Sequence, residues 1–324
     1  MNSLIAEMSN VQFENQHPSQ GDRRKELLQG LQQPQKSVNP KYFYDARGSE
    51  LFDQITRLFE YYPTRTEKQI LQRYRSEIAD YCGRGSILIE PGSGSSEKVR
   101  LLLDALKPAA YVPIDISAEF LYQSAMQLGE EFPWLKIHAV CADFNHDWAV
   151  SSALPQSKKV FFYPGSTIGN MDPAAAASFL STLREKMGRD GGVLIGVDLH
   201  KSEQRLNAAY NDSQGITADF NLNILTHINP LLDAEFSRET FSHHAFYNTD
   251  EQRIEMHLVS DQKQTVRCNG SAVSFEKGET IHTENSYKYT LEGFAQLAQS
   301  ADLEVQHSWL DEEKLFSVHY LESI

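Results

Sequence analysis

Short runs of β-branched and aromatic residues alternate along this chain with stretches whose apolar residues recur every three or four positions. Ile87-Leu-Ile-Glu, Tyr111-Val-Pro-Ile-Asp, Lys136 to Ala142, Lys159-Val-Phe-Phe-Tyr and Gly192 to Val197 read as buried strands. Helical periods over 96–106, 117–130 and 173–187 fall between them, so the pattern predicts βα units joined by right-handed crossovers into a parallel sheet. Ahead of the first strand, leucines at helical spacing predict a helix from Arg23 to Gln33, ended by Pro34. A second is predicted from Thr66 as its cap to about Tyr81, with Glu67 in the first turn complementing the helix dipole. From about His200 to Asn285 the alternation breaks. Helical stretches around 205–210 and 217–228 and strand-like runs over 253–259 and 264–268 predict an inserted α+β subdomain, paired in space with residues before about 65. The sheet then resumes with a helix over 290–300 and two terminal strands, one antiparallel. The predicted division is one domain of residues 66–199 and 290–324, a second of 21–65 and 200–289, and a flexible polar arm over 1–20.

The first strand runs into Glu90-Pro-Gly-Ser-Gly-Ser-Ser-Glu-Lys, a tight turn followed by a helix start. Gly92 and Gly94 let backbone N–H groups approach a ligand closely, as only glycine does. A dinucleotide fingerprint needs a third glycine where Glu97 stands, and that carboxylate would repel a pyrophosphate; the spacing of a phosphate-binding Walker loop is also absent. Acidic-x-Gly-x-Gly, with Glu90 leading, instead resembles the first motif of class I S-adenosylmethionine (AdoMet) methyltransferases, whose ligand carries a sulfonium and an ammonium rather than phosphates. Glu90, Asp115, Asp143 and Asp198 all fall at C-terminal strand ends, where a parallel sheet gathers its ligand-facing loops. Asp115 stands 23 residues beyond Gly92, near the spacing at which such folds put a carboxylate on a ribose diol. Asp143-Phe144 resembles the acid-plus-apolar pair that methyltransferases set at adenine.

Composition narrows the partners. A net charge of −14 over 324 residues excludes a nucleic-acid phosphate backbone as a natural ligand and suits a small or cationic one. The three cysteines, Cys82, Cys141 and Cys268, form neither a disulfide framework nor a zinc motif, and no 18-residue apolar run or basic leader is visible. A cytoplasmic monomer without membrane or nucleic-acid partners is the expectation. His243-His244 and Asp198-x-His200 lack metal-ligand spacing, so no metal is expected. Residues 41–67 are dense in aromatics and charges together; Phe43, Leu51, Phe52 and Ile55 have core spacing, whereas Tyr44, Tyr61 and Tyr62 beside Asp45 and Glu60 suit a core or a site lining equally.

Taken together, Phe43-Tyr-Asp-Ala-Arg-Gly-Ser, Leu51-Phe-Asp-Gln-Ile-Thr-Arg-Leu, Glu60-Tyr-Tyr-Pro-Thr-Arg-Thr-Glu, the glycine turn, Gly165-Ser-Thr-Ile-Gly-Asn, Arg253-Ile-Glu-Met and Glu284-Asn-Ser resemble the histidine Nα-methyltransferase family of ergothioneine biosynthesis. The resemblance runs from about residue 40 to near the end. It implies a class I methyltransferase (Rossmann-like) sheet for the first domain and a substrate-binding role for the second. It implies AdoMet contacts at Tyr44, Gly92, Gly94, Lys98, Asp115, Asp143 and Phe144, and substrate contacts at Tyr61, Asn170, Tyr210, Met256, Glu284 and Ser286. Asn170 and Tyr61 would serve the reacting amine. The implied reaction carries methyl groups from AdoMet to the α-amino group of L-histidine, three times, leaving S-adenosylhomocysteine and hercynine. In this pattern Glu284 and Met256 favour histidine over the tryptophan derivative of relatives in ergot alkaloid synthesis. An N-methyltransferase of another amino acid or small amine, and a non-catalytic AdoMet-binding module, are the alternatives; Glu97 disfavours a nicotinamide enzyme.

Overall fold

The computed structural model describes residues 10–16, 20–144, 148–149, 154–268 and 270–324. Its strands in chain order are β1 (Val11–Asn15), β2 (Lys36–Ser37), β3 (Ile87–Pro91), β4 (Ala110–Asp115), β5 (Ile137–Cys141), β6 (Lys159–Tyr163) and β7 (Gly192–Asp198). There follow β8 (Phe241–Asn248), β9 (Arg253–Ser260), β10 (Gln264–Cys268), β11 (Ser271–Phe275), β12 (Thr280–Tyr287), β13 (Leu303–Leu310) and β14 (Phe316–Ser323). Eight of them form one sheet in the order β1-β5-β4-β3-β6-β7-β14-β13, parallel throughout except that β14 runs antiparallel to both neighbours.

Helices on both faces explain why the central strands are continuous apolar runs. The helix Glu97–Leu106 turns Val99, Leu102, Leu103 and Leu106 inward, against Leu88, Tyr111 and Phe162. On the opposite face Ile89, Val112 and Phe161 pack with Leu180, Leu183 and Phe294. Strand order reverses around β3, whose neighbours are β4 and β6, and at such a switch point the loops beyond the strands part to form a crevice.

A second layer holds the sheet β2-β12-β9-β8 and the hairpin β10-β11. Its core joins early and late residues: Phe43 stacks on Phe220 at 4.5 Å, among Leu51, Ile224, Met256 and Ile281. The layers meet where the turn Thr167–Asn170 lies against β12. A Cβ on Gly169 would come within 2.8 Å of the Tyr287 carbonyl oxygen, so only glycine permits this approach.

Three local expectations change. Residues 11–15, read as part of a flexible arm, form the edge strand β1, because the exposed edge of β5 supplies partners for backbone groups that a polar sequence does not announce. Asn10 anchors it through its side-chain amide to the Gly129 and Leu135 carbonyls; residues 1–9 and 17–19 lie outside the described residues. The helix expected from Thr66 starts at Tyr62, with Pro63 in its first turn, and ends at Arg73. The backbone leaves helical geometry at Tyr74 (φ −104°, ψ 12°) before Arg75–Cys82 resumes it. Thr66 is therefore a buried interior position rather than a cap. Strands β8 and β12 carry polar residues on both faces and lack the apolar–polar alternation of the strands read from sequence, while β11 alternates through Val273 and Phe275 but is only five residues long.

Candidate functional site

The turn after β3 is built by backbone geometry. Gly92 (φ +71°) and Gly94 (φ +53°) occupy the left-handed region, and the Gly92 and Ser93 N–H groups both donate to the Ile114 carbonyl at the end of β4. Phe144 covers the turn: a Cβ on Gly92 would meet its ring at 3.3 Å. Asp115 accepts from the Gly94 and Ser117 N–H groups at 3.0 Å each. Burial raises its pKa while those backbone donors oppose the rise. Glu90, also buried, accepts from the Tyr111 hydroxyl, and burial pushes it up to about 8. A cationic ligand alongside would draw it down again.

A cavity of about 300 Å³ opens at this crevice, and its walls include Tyr44, Gly92, Gly94, Lys98, Asp115, Asp143, Phe144 and Asn170. It fits AdoMet by the chemistry of its walls. Acceptors stand at Asp115 and Asp143, an apolar ring at Phe144, and two buried polar atoms without protein partners, Ser93 Oγ and Tyr163 Oη, belong to lining residues. The cavity also brings in residues that sequence reasoning missed. Lys41 bridges Glu26 (2.6 Å) and Asp143 (2.9 Å), so the Asp143 carboxylate is oriented from 102 residues away. Glu67, expected to serve a helix dipole, is fully buried. It accepts from the Gly165 N–H at 3.0 Å and pairs with Lys98 at 2.6 Å. Lys98 is thus held beside the Gly165 loop by a carboxylate from another helix.

A smaller cavity adjoins the first, sharing the wall of Tyr44, Phe52, Gly165, Thr167 and Asn170. Its other walls include Tyr61, Tyr210, Glu284, Ser286 and Asp198. Tyr61 sits at the N-terminus of the helix Tyr62–Arg73, edge-on to both Phe52 and Tyr210. Asn170 ends the short turn Thr167–Asn170. Glu284 and Ser286, two apart on β12, project from the same side of the strand. The Tyr210 hydroxyl donates to Ser286 Oγ at 2.8 Å. Burial lifts Glu284 to about 7 against the pull of nearby Lys288.

Met256 is placed differently from its neighbours in the motif. It pairs with Glu284 across β9 and β12 but belongs to the apolar core, outside the lining of both cavities. A β-bulge between His282 and Glu284 shifts the register there, so that Glu284 lies opposite Met256 on the same face of the sheet. The histidines singled out by sequence are used structurally. His243 bonds Asn221 and the Tyr210 carbonyl, and His200 bonds Tyr247. A different group, Glu255, His257 and His282, brings its ligand atoms within 4.8 Å of one another on the far face of the second sheet. There Arg253 and Asn248 hold the Glu255 carboxylate, and the two imidazoles stack.

Residues 23–323 match the family model described as "Histidine-specific methyltransferase, SAM-dependent". A protein of Mycobacterium tuberculosis named histidine N-alpha-methyltransferase is 42% identical over 296 residues, 89% of this chain and 91% of that protein. Its namesake in Mycolicibacterium smegmatis is 43% identical over 294 residues, with the same coverage of each chain. Ergothioneine biosynthesis protein 1 of Neurospora crassa is 32% identical over 273 residues, 82% of this chain but 31% of that larger protein. With a parallel sheet reversing at a glycine turn, an acid-lined crevice and a family match across nearly its whole length, this chain belongs to the histidine-specific, SAM-dependent methyltransferases.

Proposed function

We propose that this protein transfers methyl groups from AdoMet to the α-amino nitrogen of L-histidine, three in succession, giving hercynine. The observation that carries this assignment is Glu284 and Ser286, two residues apart on one strand, lining a small cavity that shares a wall with the donor crevice. A carboxylate and a hydroxyl at that spacing suit the two ring nitrogens of an imidazole. An amino acid lacking them would leave the Glu284 carboxylate unpaired, which is the strong form of substrate rejection.

AdoMet supplies an electrophilic methyl group on a sulfonium. For the donor, Asp115 takes the ribose diol, Asp143 the adenine amine and Phe144 the base face, while Gly92 and Gly94 give backbone access. Tyr44 closes the shared wall, and Lys98, neutralised by Glu67, braces the Gly165 loop. For the acceptor, Asn170 offers donors and an acceptor to the α-amino and α-carboxylate groups, and Tyr210 backs Ser286, to which its hydroxyl donates. Tyr61 faces the amine, and its ring face tolerates the growing cation. Met256, behind Glu284, sets the backbone from which that carboxylate projects. The attacking amine must be neutral; no group in the cavity is needed as a strong base, because positioning supplies most of the rate and the proton leaves to water.

We further assign the reaction to a cytoplasmic monomer acting on small molecules alone. The charge of −14 and three buried, unpaired cysteines support this, and among the described residues no helix is long and apolar enough to cross a membrane. Mass spectrometry of a reaction with AdoMet and each amino acid in parallel tests the assignment. Histidine heavier by three methyl groups is the expected product, and methylation of a different amine with histidine untouched would overturn it.

A further inference from the structure

Behind the small cavity lies a buried cation that neither sequence reasoning nor the proposed substrate contacts use. The Lys288 side chain is 0% exposed. It continues the strip begun by Glu284 and Ser286 just past the end of β12. Its ammonium has an acceptor for each of its three hydrogens: Ser286 Oγ at 2.7 Å, Asp198 Oδ2 at 2.9 Å and the Tyr210 hydroxyl oxygen at 3.3 Å. Asp198, at the end of β7, is held in turn by the Tyr62 hydroxyl (2.7 and 2.9 Å) and by Lys201 (2.6 Å). The two lysines keep its carboxyl below the usual range despite its burial, so an anion anchors Lys288 in place.

Counting hydrogens decides what this does to the cavity. Ser286 and Tyr210 each own one hydroxyl hydrogen, and one of these lies between their oxygens, 2.8 Å apart. Both oxygens turn a lone pair to the Lys288 ammonium, so the remaining hydrogen cannot point there. It points into the cavity that both residues line. The hydroxyl pair therefore presents a donor, while Glu284, two residues earlier, presents an acceptor. The complementary ligand has one N–H to give and one bare nitrogen to receive. An imidazolium, with two N–H groups, would meet a donor it cannot satisfy and a cation one atom behind it.

We propose that Lys288 is a positioning residue that polarises the Ser286–Tyr210 hydroxyl pair into a donor, so that the cavity takes the substrate imidazole neutral and in one tautomer, its N–H on Glu284 and its bare nitrogen toward the hydroxyl pair. This rests on the assignment of Glu284 and Ser286 to the imidazole. It adds what those two residues alone leave open, since a serine with no cation behind it turns freely to give or to accept.

The test uses L-histidine labelled with ¹⁵N in the ring, bound to the full-length protein with S-adenosylhomocysteine and observed by NMR. In the unaltered protein one ring nitrogen is expected to resonate as protonated and the other as bare, widely separated. In Lys288→Met the two signals are expected to converge toward the averaged or doubly protonated pattern. KM for histidine should rise at least tenfold while kcat at saturation and AdoMet affinity stay within about twofold, and Lys288→Arg, which keeps the cation, should recover most of the loss. A doubly protonated ring in the unaltered protein overturns the proposal without any variant. So does an unchanged single-tautomer pattern in a folded Lys288→Met protein. Histidine that fails to bind the unaltered protein at all would overturn the substrate assignment and this inference with it.

Discussion

Replacing Glu284 by glutamine separates what this carboxylate does for binding from what it costs the fold. The amide keeps the shape and removes the charge, so the imidazole loses a charge-assisted hydrogen bond worth about 1.5–3 kcal/mol. That corresponds to roughly 10- to 150-fold in histidine KM. Burial holds this carboxyl at about 7 against its ordinary 4.5. At about 1.4 kcal/mol for each pH unit between those values, ionising it in the folded state costs at most about 3.5 kcal/mol. The sign follows from linkage. A carboxyl whose folded pKa is raised adds stability below pH 4.5, and that stability is lost as pH climbs through 7. At pH 8 Glu284→Gln should therefore be the more stable protein and the poorer enzyme. Below pH 7 the unaltered protein should lose histidine affinity as Glu284 gains its proton, a limb the variant lacks. Steady-state methyl transfer to histidine from pH 6 to 9, with urea unfolding and AdoMet titration at pH 8, measures all three. An unchanged histidine KM in the variant would refute the imidazole contact, and lower stability at pH 8 would refute the claim that burial strains this carboxylate.

Further outcomes follow from the donor crevice and the sheet. Lys41→Met removes the cation beside buried Asp143; AdoMet affinity measured by calorimetry should fall about tenfold, from a loss of about 1–3 kcal/mol. Gly92→Ala places a side chain at φ +71°, 3.3 Å from the Phe144 ring. It should cost about 1–2 kcal/mol of stability in thermal unfolding and weaken AdoMet binding in the same protein. His319, packed on Phe294 and bonded to Ser308 and Ser317, is held down to about 3 by burial. Its contribution is complete above pH 6.5 and drains away between 6.5 and 3, at about 1.4 kcal/mol per pH unit. Because the raised carboxyls Glu90 and Glu284 slope the other way over this range, the His319 share is read as the difference between the unaltered protein and His319→Gln in urea unfolding, which should shift in favour of the variant on going from pH 7 to pH 5.

The sequence by itself determined the doubly wound half of this protein. Strands such as Ile87–Pro91 and Gly192–Asp198 are buried at every position, so their apolar runs, the helical periods between them and the glycines of one turn are local signals that survive without knowledge of partners. The acids at strand ends were legible for the same reason: a parallel sheet sends all its C-terminal loops to one edge. Tertiary structure decided what has no local signature. The edge strand Val11–Asn15 exists because β5 offers unpaired backbone, and the helix Tyr62–Arg73 begins with Pro63 in its first turn rather than at a capping side chain. The partners of the site residues belong here too. Lys41 reaches Asp143, Glu67 reaches Gly165 and Lys98, and Lys288 reaches Asp198 across 90 to 102 residues or between separate elements. Each is a charge removed from water and satisfied by another such charge or by backbone, and only the folded chain brings those groups within hydrogen-bonding distance. A sequence suggests the groups suited to meet a ligand, because their chemistry must match it. The groups that hold those groups in place need only be near, and nearness is a property of the fold.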